Sequence, residues 1–224
     1  MLQNCNIVKL HKKSAMTCNI AVLVSGRGSN LQSIIDNIES GYIRNASINV
    51  VVSDVHDAYA LERARDRAID AIFINPSEHG SKKDYEKYLI GILEEYSIDL
   101  ILLAGYMRLL GNSFIRRYKN RIMNIHPSLL PSFKGLDAQK QALEYGVKVS
   151  GCTVHFVDEG MDSGPIILQQ SVRVLENDTV ESLSERILEQ EHVIYPEAVK
   201  LFVEGKLKVQ GRIVLTRNYE RPVK

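Results

Sequence analysis

The 224-residue sequence is poor in cysteine, in net charge and in long apolar runs. Its three cysteines, Cys5, Cys18 and Cys152, match neither a disulfide framework nor a metal site, so we predict reduced thiols in a reducing compartment. The formal net charge of +1 gives no reason to expect a nucleic-acid or membrane partner. No apolar run approaches the roughly 20 residues that a membrane-spanning helix needs. We therefore predict a cytoplasmic protein.

The composition is that of a globular domain with a substantial core. Apolar residues make up 45% of the chain and charged residues 25%, as in ordinary soluble proteins, and the length fits one large α/β domain. We see no internal repeat, linker or low-complexity segment. We predict a domain over residues 19–216 and a short tail over 217–224. Residues 1–18 are expected to be a disordered extension, or sequence upstream of a start at Met16.

Apolar runs of strand length alternate with helical patterns along most of the chain. This alternation predicts an α/β fold with a mostly parallel, twisted sheet of about seven strands flanked by helices. The predicted strands are 19–24, 48–52, 71–74, 100–104, 121–125, 148–157 and 166–174. The predicted helices are 29–40, 57–68, 82–96, 113–118, 137–145 and 180–203. A turn-rich segment, 158–165, predicts that the C-terminal part is antiparallel, and residues 208–214 read as one terminal strand.

A glycine loop, Ser25-Gly26-Arg27-Gly28-Ser29-Asn30-Leu31, follows the first predicted strand. Glycines allow a close approach to a ligand, and the next helix offers free N–H groups and a positive dipole end to a phosphate. The loop alone could also be a tight turn with a capping serine. A dinucleotide site, with Asp54 as its ribose-binding acid, lacks the third glycine because Leu31 stands there. We therefore predict a single terminal phosphate, which bulk at Gly28 should push away.

Asn124 and His126 lie at the end of the fifth predicted strand. Alternate residues of a strand face the same side, and Pro127 marks the carboxyl end, where open α/β sheets place ligands. An amide donor can stabilise the oxyanion of acyl transfer to an amine, and an imidazole can assist it or move protons. Asp162, in a loop flanked by glycines, could support the charged imidazole. Each residue alone is more often structural, so only the joint pattern points to chemistry.

That joint pattern resembles the folate-dependent formyltransferases. The stretch Asn124-Ile125-His126-Pro127-Ser128-Leu129-Leu130-Pro131 is similar to their active-site segment, and residues 158–165 are similar to their aspartate-bearing loop. Further similar segments are 24–31, 103–108 and 190–196, so the resemblance covers about residues 19–214. It implies 10-formyltetrahydrofolate as cosubstrate, glycinamide ribonucleotide as formyl acceptor in purine biosynthesis, a monomer or homodimer, and no metal.

The resemblance also implies a role for each candidate site residue. The catalytic trio is Asn124, His126 and Asp162. Gly28, Ser29 and Asn30 are implied to bind the substrate phosphate, and Glu191 is implied to contact the ribose or amine end of the substrate. The residues implied to bind folate are Lys82, Met107, Arg108, Leu109, Leu110, Asp158, Glu159, Gly160 and Met161. Three positions depart from the family pattern, in which histidine, arginine and glutamine are expected at Asp137, Lys82 and Leu188.

Four alternatives compete with this interpretation. A methionyl-tRNA formyltransferase should carry a further RNA-binding domain, and a formyltetrahydrofolate deformylase should carry an N-terminal regulatory domain. We expect neither, because few residues flank the predicted domain. A sugar-nucleotide formyltransferase is disfavoured by the glycine loop. A nucleotide-binding module on the same scaffold would bind ligand without any chemistry at His126.

Overall fold

The computed structural model describes residues 17–217, which form one nine-stranded sheet with helices on both faces. The strands are β1 (Cys18–Val24), β2 (Ala46–Ser53), β3 (Asp70–Phe73), β4 (Leu100–Leu103), β5 (Ile122–His126), β6 (Val149–Phe156), β7 (Ile166–Arg173), β8 (Leu207–Gln210) and β9 (Ile213–Thr216). The helices are α1 (Ser29–Glu39), α2 (Tyr59–Arg65), α3 (Lys82–Glu95), α4 (Asn112–Arg117), α5 (Ala138–Tyr145) and α6 (Val180–Val203). The expected N-terminal extension and C-terminal tail lie outside the described residues, apart from residues 17, 18 and 217. Within 17–217, no helix is both long and apolar enough to cross a membrane.

The sheet runs in the order β3-β2-β1-β4-β5-β6-β7-β9-β8. Strands β3, β2, β1, β4 and β5 are parallel, whereas β6 is antiparallel to both β5 and β7. The predicted fold class and its antiparallel C-terminal part are thus confirmed. The order reverses between β1 and β4, and this switch point is where open α/β sheets bind ligands.

The C-terminal run predicted as one strand, 208–214, is instead a hairpin. Strands β8 and β9 pair in antiparallel fashion through a two-residue turn in which Gly211 has φ +60°. Two-residue hairpin turns need a residue that tolerates positive φ, and glycine does so without strain. The prediction missed the turn because the apolar pattern continues on both sides of it.

Buried apolar side chains cover both faces of the central strands. Alternate residues of β1 divide between two core clusters: Ile20 and Val22 pack towards α1 and α6, while Ala21 and Leu23 pack towards α3 and α4. This two-sided burial explains why the central strands are uniformly apolar, since parallel sheets are covered on both faces. The loops at the carboxyl ends are therefore held on a rigid layer.

Helix α6 crosses the sheet and carries Glu191 to the start of α1. It begins at a capping box in which the Thr179 side chain accepts a hydrogen bond from the Ser182 backbone N–H. Pro196 lies inside the helix and has no N–H for the His192 carbonyl one turn earlier. The Ser33 hydroxyl of α1 donates to that carbonyl instead, at 2.9 Å. The two helices are thereby joined beside the glycine loop.

Candidate active site

The three residues of the predicted trio lie together at the carboxyl end of β5. His126 Nδ1 is 3.4 Å from Asp162 Oδ2, and both side chains are largely buried. Asn124 lies two residues before His126 on the same face of β5, while Met123 and Ile125 belong to the core cluster on the opposite face. The sequence-based expectation that Asn124 and His126 point to one side is therefore confirmed.

The imidazole of His126 is held at both ring nitrogens. Nε2 lies 2.8 Å from the carbonyl oxygen of Phe133, which can only accept, so Nε2 carries a proton in this contact. Nδ1 faces the Asp162 carboxylate at 3.4 Å. The loop that carries the Phe133 carbonyl follows Pro127 and is tied to the sheet because the Leu130 N–H donates to Thr153 Oγ1 at 3.1 Å.

A fourth polar residue, His155, completes the cluster, although no sequence motif predicted it. In the antiparallel pairing of β5 with β6, His155 is the direct partner of Asn124. Its Nδ1 donates to the Phe156 carbonyl at 3.0 Å, so Nε2 is the unprotonated nitrogen. Burial lowers the pKa of His155, outweighing the contributions of that hydrogen bond and of Asp162, which act in the opposite direction. His155 is therefore a neutral acceptor.

His155 orients the amide of Asn124. Asn124 Nδ2 is 3.2 Å from His155 Nε2, and because that nitrogen accepts, the amide donates one of its two hydrogens there. The second amide hydrogen is left for a ligand. Alternation along β6, in which His155 and Thr153 share a face, is the signal that could have found His155, but only the strand register reveals its partner.

Asp162 is presented by a loop with several internal constraints. Its backbone lies in the left-handed region, at φ +44°, and its Oδ2 accepts a hydrogen bond from the Gly135 N–H at 2.8 Å. A Cβ at Gly164 would lie 1.7 Å from the Phe156 carbonyl oxygen, so only glycine fits where the loop returns to β7. These contacts hold the carboxylate between His126 Nδ1 and His155 Nε2, which is 3.7 Å from Asp162 Oδ1.

The other residues of this loop that were predicted to bind folate make mixed contacts. Asp158 Oδ1 accepts a hydrogen bond from the Ser163 hydroxyl at 2.6 Å and closes the loop. Glu159 pairs with Arg116 at 3.6 Å, which ties the loop to α4. Gly160 makes the turn, and Met161 is half-exposed. Asp158 and Glu159 therefore shape the loop, and Met161 is free to contact a ligand.

The glycine loop leads into the N-terminus of α1, and Gly28 packs closely against α2. Gly28 has φ +71° and caps the N-terminus of α1. A Cβ at Gly28 would lie 2.6 Å from the Ala60 side chain on α2, so bulk at this position would disrupt helix packing before it met any phosphate. The expectation that a Gly28 variant tests phosphate binding is corrected on this ground. Ser29, the first residue of α1, is the better probe.

Asn30 and Glu191 form a buried polar pair beside the glycine loop. Asn30 Nδ2 donates to Glu191 Oε2 at 2.7 Å, although the two residues are 161 positions apart. Burial raises the pKa of the Glu191 carboxyl, and the hydrogen bond from Asn30 acts against that shift. The Asn30 Oδ1 atom is buried without a hydrogen-bond partner. The pair thus presents an unused acceptor next to the predicted phosphate site.

The remaining residues predicted to bind folate lie on or beside the loop after β4. Met107 and Leu109 expose about two thirds of their surface, 66% and 64%, an unusual state for apolar side chains at the ligand-binding edge of a sheet. The guanidinium of Arg108 lies over the Tyr85 ring, 5.1 Å from its centre. Leu110 is partly buried. Lys82, at the start of α3, lies 3.8 Å from Glu86. Glu86 in turn accepts a hydrogen bond from the Gly111 N–H at the end of this loop.

Comparison with known proteins agrees with this geometry. The family described as formyl transferase matches residues 18–199. Phosphoribosylglycinamide formyltransferase of Escherichia coli (strain K12) is 42% identical over 191 residues, which are 85% of this chain and 90% of that protein. The crystal structure of glycinamide ribonucleotide transformylase 1 from Symbiobacterium toebii superposes with a TM-score of 0.88 at 53% identity, covering 90% of this chain and 95% of that one.

A longer class of relatives is also similar. The trifunctional purine biosynthetic protein adenosine-3 of Homo sapiens is 43% identical over 204 residues, which are 91% of this chain but only 20% of that protein. The chain thus spans about a fifth of the length of this relative. The family match over most of the chain, joined to the polar cluster at the end of β5, shows that this chain belongs to the formyl transferase family.

Proposed function

We propose that this chain transfers the formyl group of 10-formyltetrahydrofolate to the amine of glycinamide ribonucleotide, in the cytoplasm, as a monomer or homodimer. The observation that carries the proposal is the cluster of Asn124, His126 and Asp162 at the carboxyl end of β5. The names of the similar bacterial proteins support this choice of acceptor. The pathway is purine biosynthesis, which the name of the trifunctional relatives also supports.

Attack of the substrate amine on the formyl carbon creates a tetrahedral carbon whose oxygen bears a negative charge. The free hydrogen of the Asn124 amide, left by its bond to His155, donates to this oxygen. A donor already aimed at the developing charge needs no reorganisation during the reaction, and losing one such donor typically costs about 10²–10³-fold in kcat. Asn124 is thus a catalytic residue in this proposal, and His155 positions it.

His126 contributes through its Nε2 proton and its positive charge. In the structure that proton is donated to the Phe133 carbonyl. The formyl oxygen therefore has to replace the Phe133 carbonyl as the acceptor. Asp162 stabilises the imidazolium through its negative charge and accepts the amine proton by way of water, before the leaving nitrogen of the folate is protonated.

The two substrates meet near the carboxyl ends of β4 and β5, beside the switch point of the sheet. The glycine loop after β1, at Gly28, Ser29 and Asn30, takes the phosphate of the ribonucleotide, and the buried Asn30–Glu191 pair faces its ribose or amine end. The exposed apolar side chains after β4 form a wall for the flat pterin ring. Lys82 remains our candidate for the glutamate tail of the folate, with a single charge in place of the bidentate fork of arginine.

The test of the function is an absorbance assay with purified protein and 10-formyltetrahydrofolate, with and without glycinamide ribonucleotide. Release of tetrahydrofolate only in the presence of the ribonucleotide is the expected result. A His126→Ala variant serves as the control, and we expect its kcat to fall by about 10²–10⁴-fold. Release without the ribonucleotide would identify water as the acceptor, and no release under either condition would reject the transferase assignment.

A Ser29→Asp variant tests the phosphate site. An acidic side chain in the first turn of α1 interacts favourably with the helix dipole, so the variant should be as stable as the unaltered chain. Its negative charge opposes a bound phosphate, so we expect KM for the ribonucleotide to rise at least tenfold, about 1.4 kcal/mol, while KM for the folate changes little. Unchanged KM for the ribonucleotide would place the phosphate elsewhere.

A further inference from the structure

Ser25 and Asp54 join the glycine loop to the loop that follows β4. The Ser25 hydroxyl donates to Asp54 Oδ1 at 2.6 Å and accepts a hydrogen bond from the Met107 N–H at 3.0 Å. The Ser25 N–H in turn donates to the Gly105 carbonyl at 3.1 Å. The segments that follow three neighbouring strands, β2, β1 and β4, thus meet in a single polar clip at the carboxyl ends of these strands.

The clip gives Asp54 a role other than the one considered for a dinucleotide site. Its carboxylate is engaged by the Ser25 hydroxyl, in a short bond that an ionised acceptor makes strong. Ser25 in turn directly precedes Gly26, the first glycine of the predicted phosphate loop. The hydroxyl that holds the Met107 N–H therefore belongs to the residue next to that loop in the chain.

The far end of the loop after β4 is fixed independently. The Gly111 N–H donates to Glu86 Oε1 at 2.7 Å, and Glu86 is only 6% exposed on α3. Between these two anchors lie Met107 and Leu109, the exposed apolar side chains. Since α3 holds one end of this loop through Glu86, the clip at the other end is the second contact that positions the apolar wall.

We propose that Ser25 and Asp54 are positioning residues that couple the two substrate loops. Ribonucleotide bound on the glycine loop orders the clip, and the ordered clip presents Met107 and Leu109 to the folate, so each substrate strengthens the binding of the other. Such coupling is reciprocal, because ordering by the first ligand reduces the entropy lost on binding the second. This inference rests on the proposed function for the identity of the two ligands.

Calorimetry on the full chain tests the coupling with tetrahydrofolate and glycinamide ribonucleotide, a pair that holds no formyl group and cannot turn over. The Kd of tetrahydrofolate is measured without and with saturating ribonucleotide. We expect the ribonucleotide to tighten it about fivefold or more in the unaltered chain. In Asp54→Ala and Ser25→Ala the ratio should fall to near one. Asp54→Asn keeps an oxygen acceptor and should retain most of the coupling.

The matched control is Asp70→Ala, which removes another carboxylate bonded to a hydroxyl, that of Tyr96 at 2.7 Å, but at the amino end of β3. It should leave the ratio unchanged. Hydrogen exchange at the Met107 amide gives a second readout: the ribonucleotide should slow it in the unaltered chain but not in Asp54→Ala.

Two results would overturn the inference alone: no coupling in the unaltered chain, or equal coupling in that chain and in Asp54→Ala. In both, the ribonucleotide still binds, so the proposed function stands. Failure of the ribonucleotide to bind the unaltered chain at all would overturn the proposed function as well.

Discussion

At the scale of single residues, the neutral ring of His155 determines which way the Asn124 amide points. With Nδ1 committed to the Phe156 carbonyl, His155 offers only an acceptor, and the amide nitrogen turns towards it. Replacing His155 with Phe keeps a ring but removes the acceptor, so the amide loses its preferred orientation. We expect kcat to fall at least about tenfold, and by no more than the roughly 10²–10³-fold that complete loss of an oxyanion donor costs. Steady-state kinetics measure this, and an unchanged kcat would remove His155 from the mechanism.

Glu191 is the residue at which binding and stability are expected to conflict. Because burial raises the pKa of its carboxyl, ionisation is unfavourable in the folded chain. The free energy of unfolding should therefore fall as the pH rises from about 4.3, the pKa of an unfolded glutamate, through the raised value. Glu191→Gln should remove that slope and raise Tm at neutral pH, while KM for the ribonucleotide increases.

Thermal unfolding across this pH range, followed by kinetics at one pH, measures both effects for Glu191. The Gln side chain still offers an oxygen to Asn30, so the local contact is preserved. Parallel Tm curves for the two chains would contradict the assignment of a buried, costly carboxylate. An unchanged KM would contradict the proposed contact with the ribonucleotide.

At the scale of elements, the contact between α1 and α6 depends on a backbone hydrogen bond that is missing from α6. Pro196 leaves the His192 carbonyl without its helical partner, and Ser33 of α1 supplies the missing donor at 2.9 Å. Ser33→Ala should destabilise the fold by about 1 kcal/mol because it leaves that carbonyl unsatisfied. In a Pro196→Ala background the helix provides its own N–H, so the same change should cost less.

Denaturant unfolding of the two single variants and the double variant measures this interaction. We expect a coupling free energy of about 0.5–1 kcal/mol, within the usual range for residues that share a partner. Additive effects would show that Ser33 and Pro196 act independently. This contact at His192 lies one residue from Glu191, which meets Asn30 at the start of α1.

At the scale of the whole molecule, one hydroxyl links the helical layer to the two strands that carry the site. Tyr195 of α6 is fully buried, and its hydroxyl lies 3.0 Å from the Leu103 carbonyl at the end of β4 and 3.1 Å from the Met123 carbonyl in β5. Tyr195→Phe should lower the free energy of unfolding by about 1–3 kcal/mol, because the single O–H that the two buried carbonyls share is lost. Chemical denaturation measures this loss, and a variant as stable as the parent would show that water replaces the hydroxyl.

Much of this architecture could be predicted, and the exceptions have physical causes. The helices were found because apolar residues repeat with helical period, and the central strands because burial on both faces makes them uniformly apolar. The hairpin at Gly211 was missed because its turn spans only two residues. The packing of Gly28 against Ala60 was not predicted because the two residues lie in different elements: Gly28 follows β1, whereas Ala60 is on α2, which follows β2.

Local features follow from the order of the amino acids alone: the order of the elements, the glycine loop before α1, and the shared face of Asn124 and His126. Chain geometry dictates these features, since side-chain direction repeats every two residues in a strand. The partners across strands and helices come instead from the folded arrangement, namely His155 beside Asn124, Glu191 beside Asn30, and Asp54 on Ser25. Those contacts depend on strand register and layer packing, which bring together groups far apart in the chain.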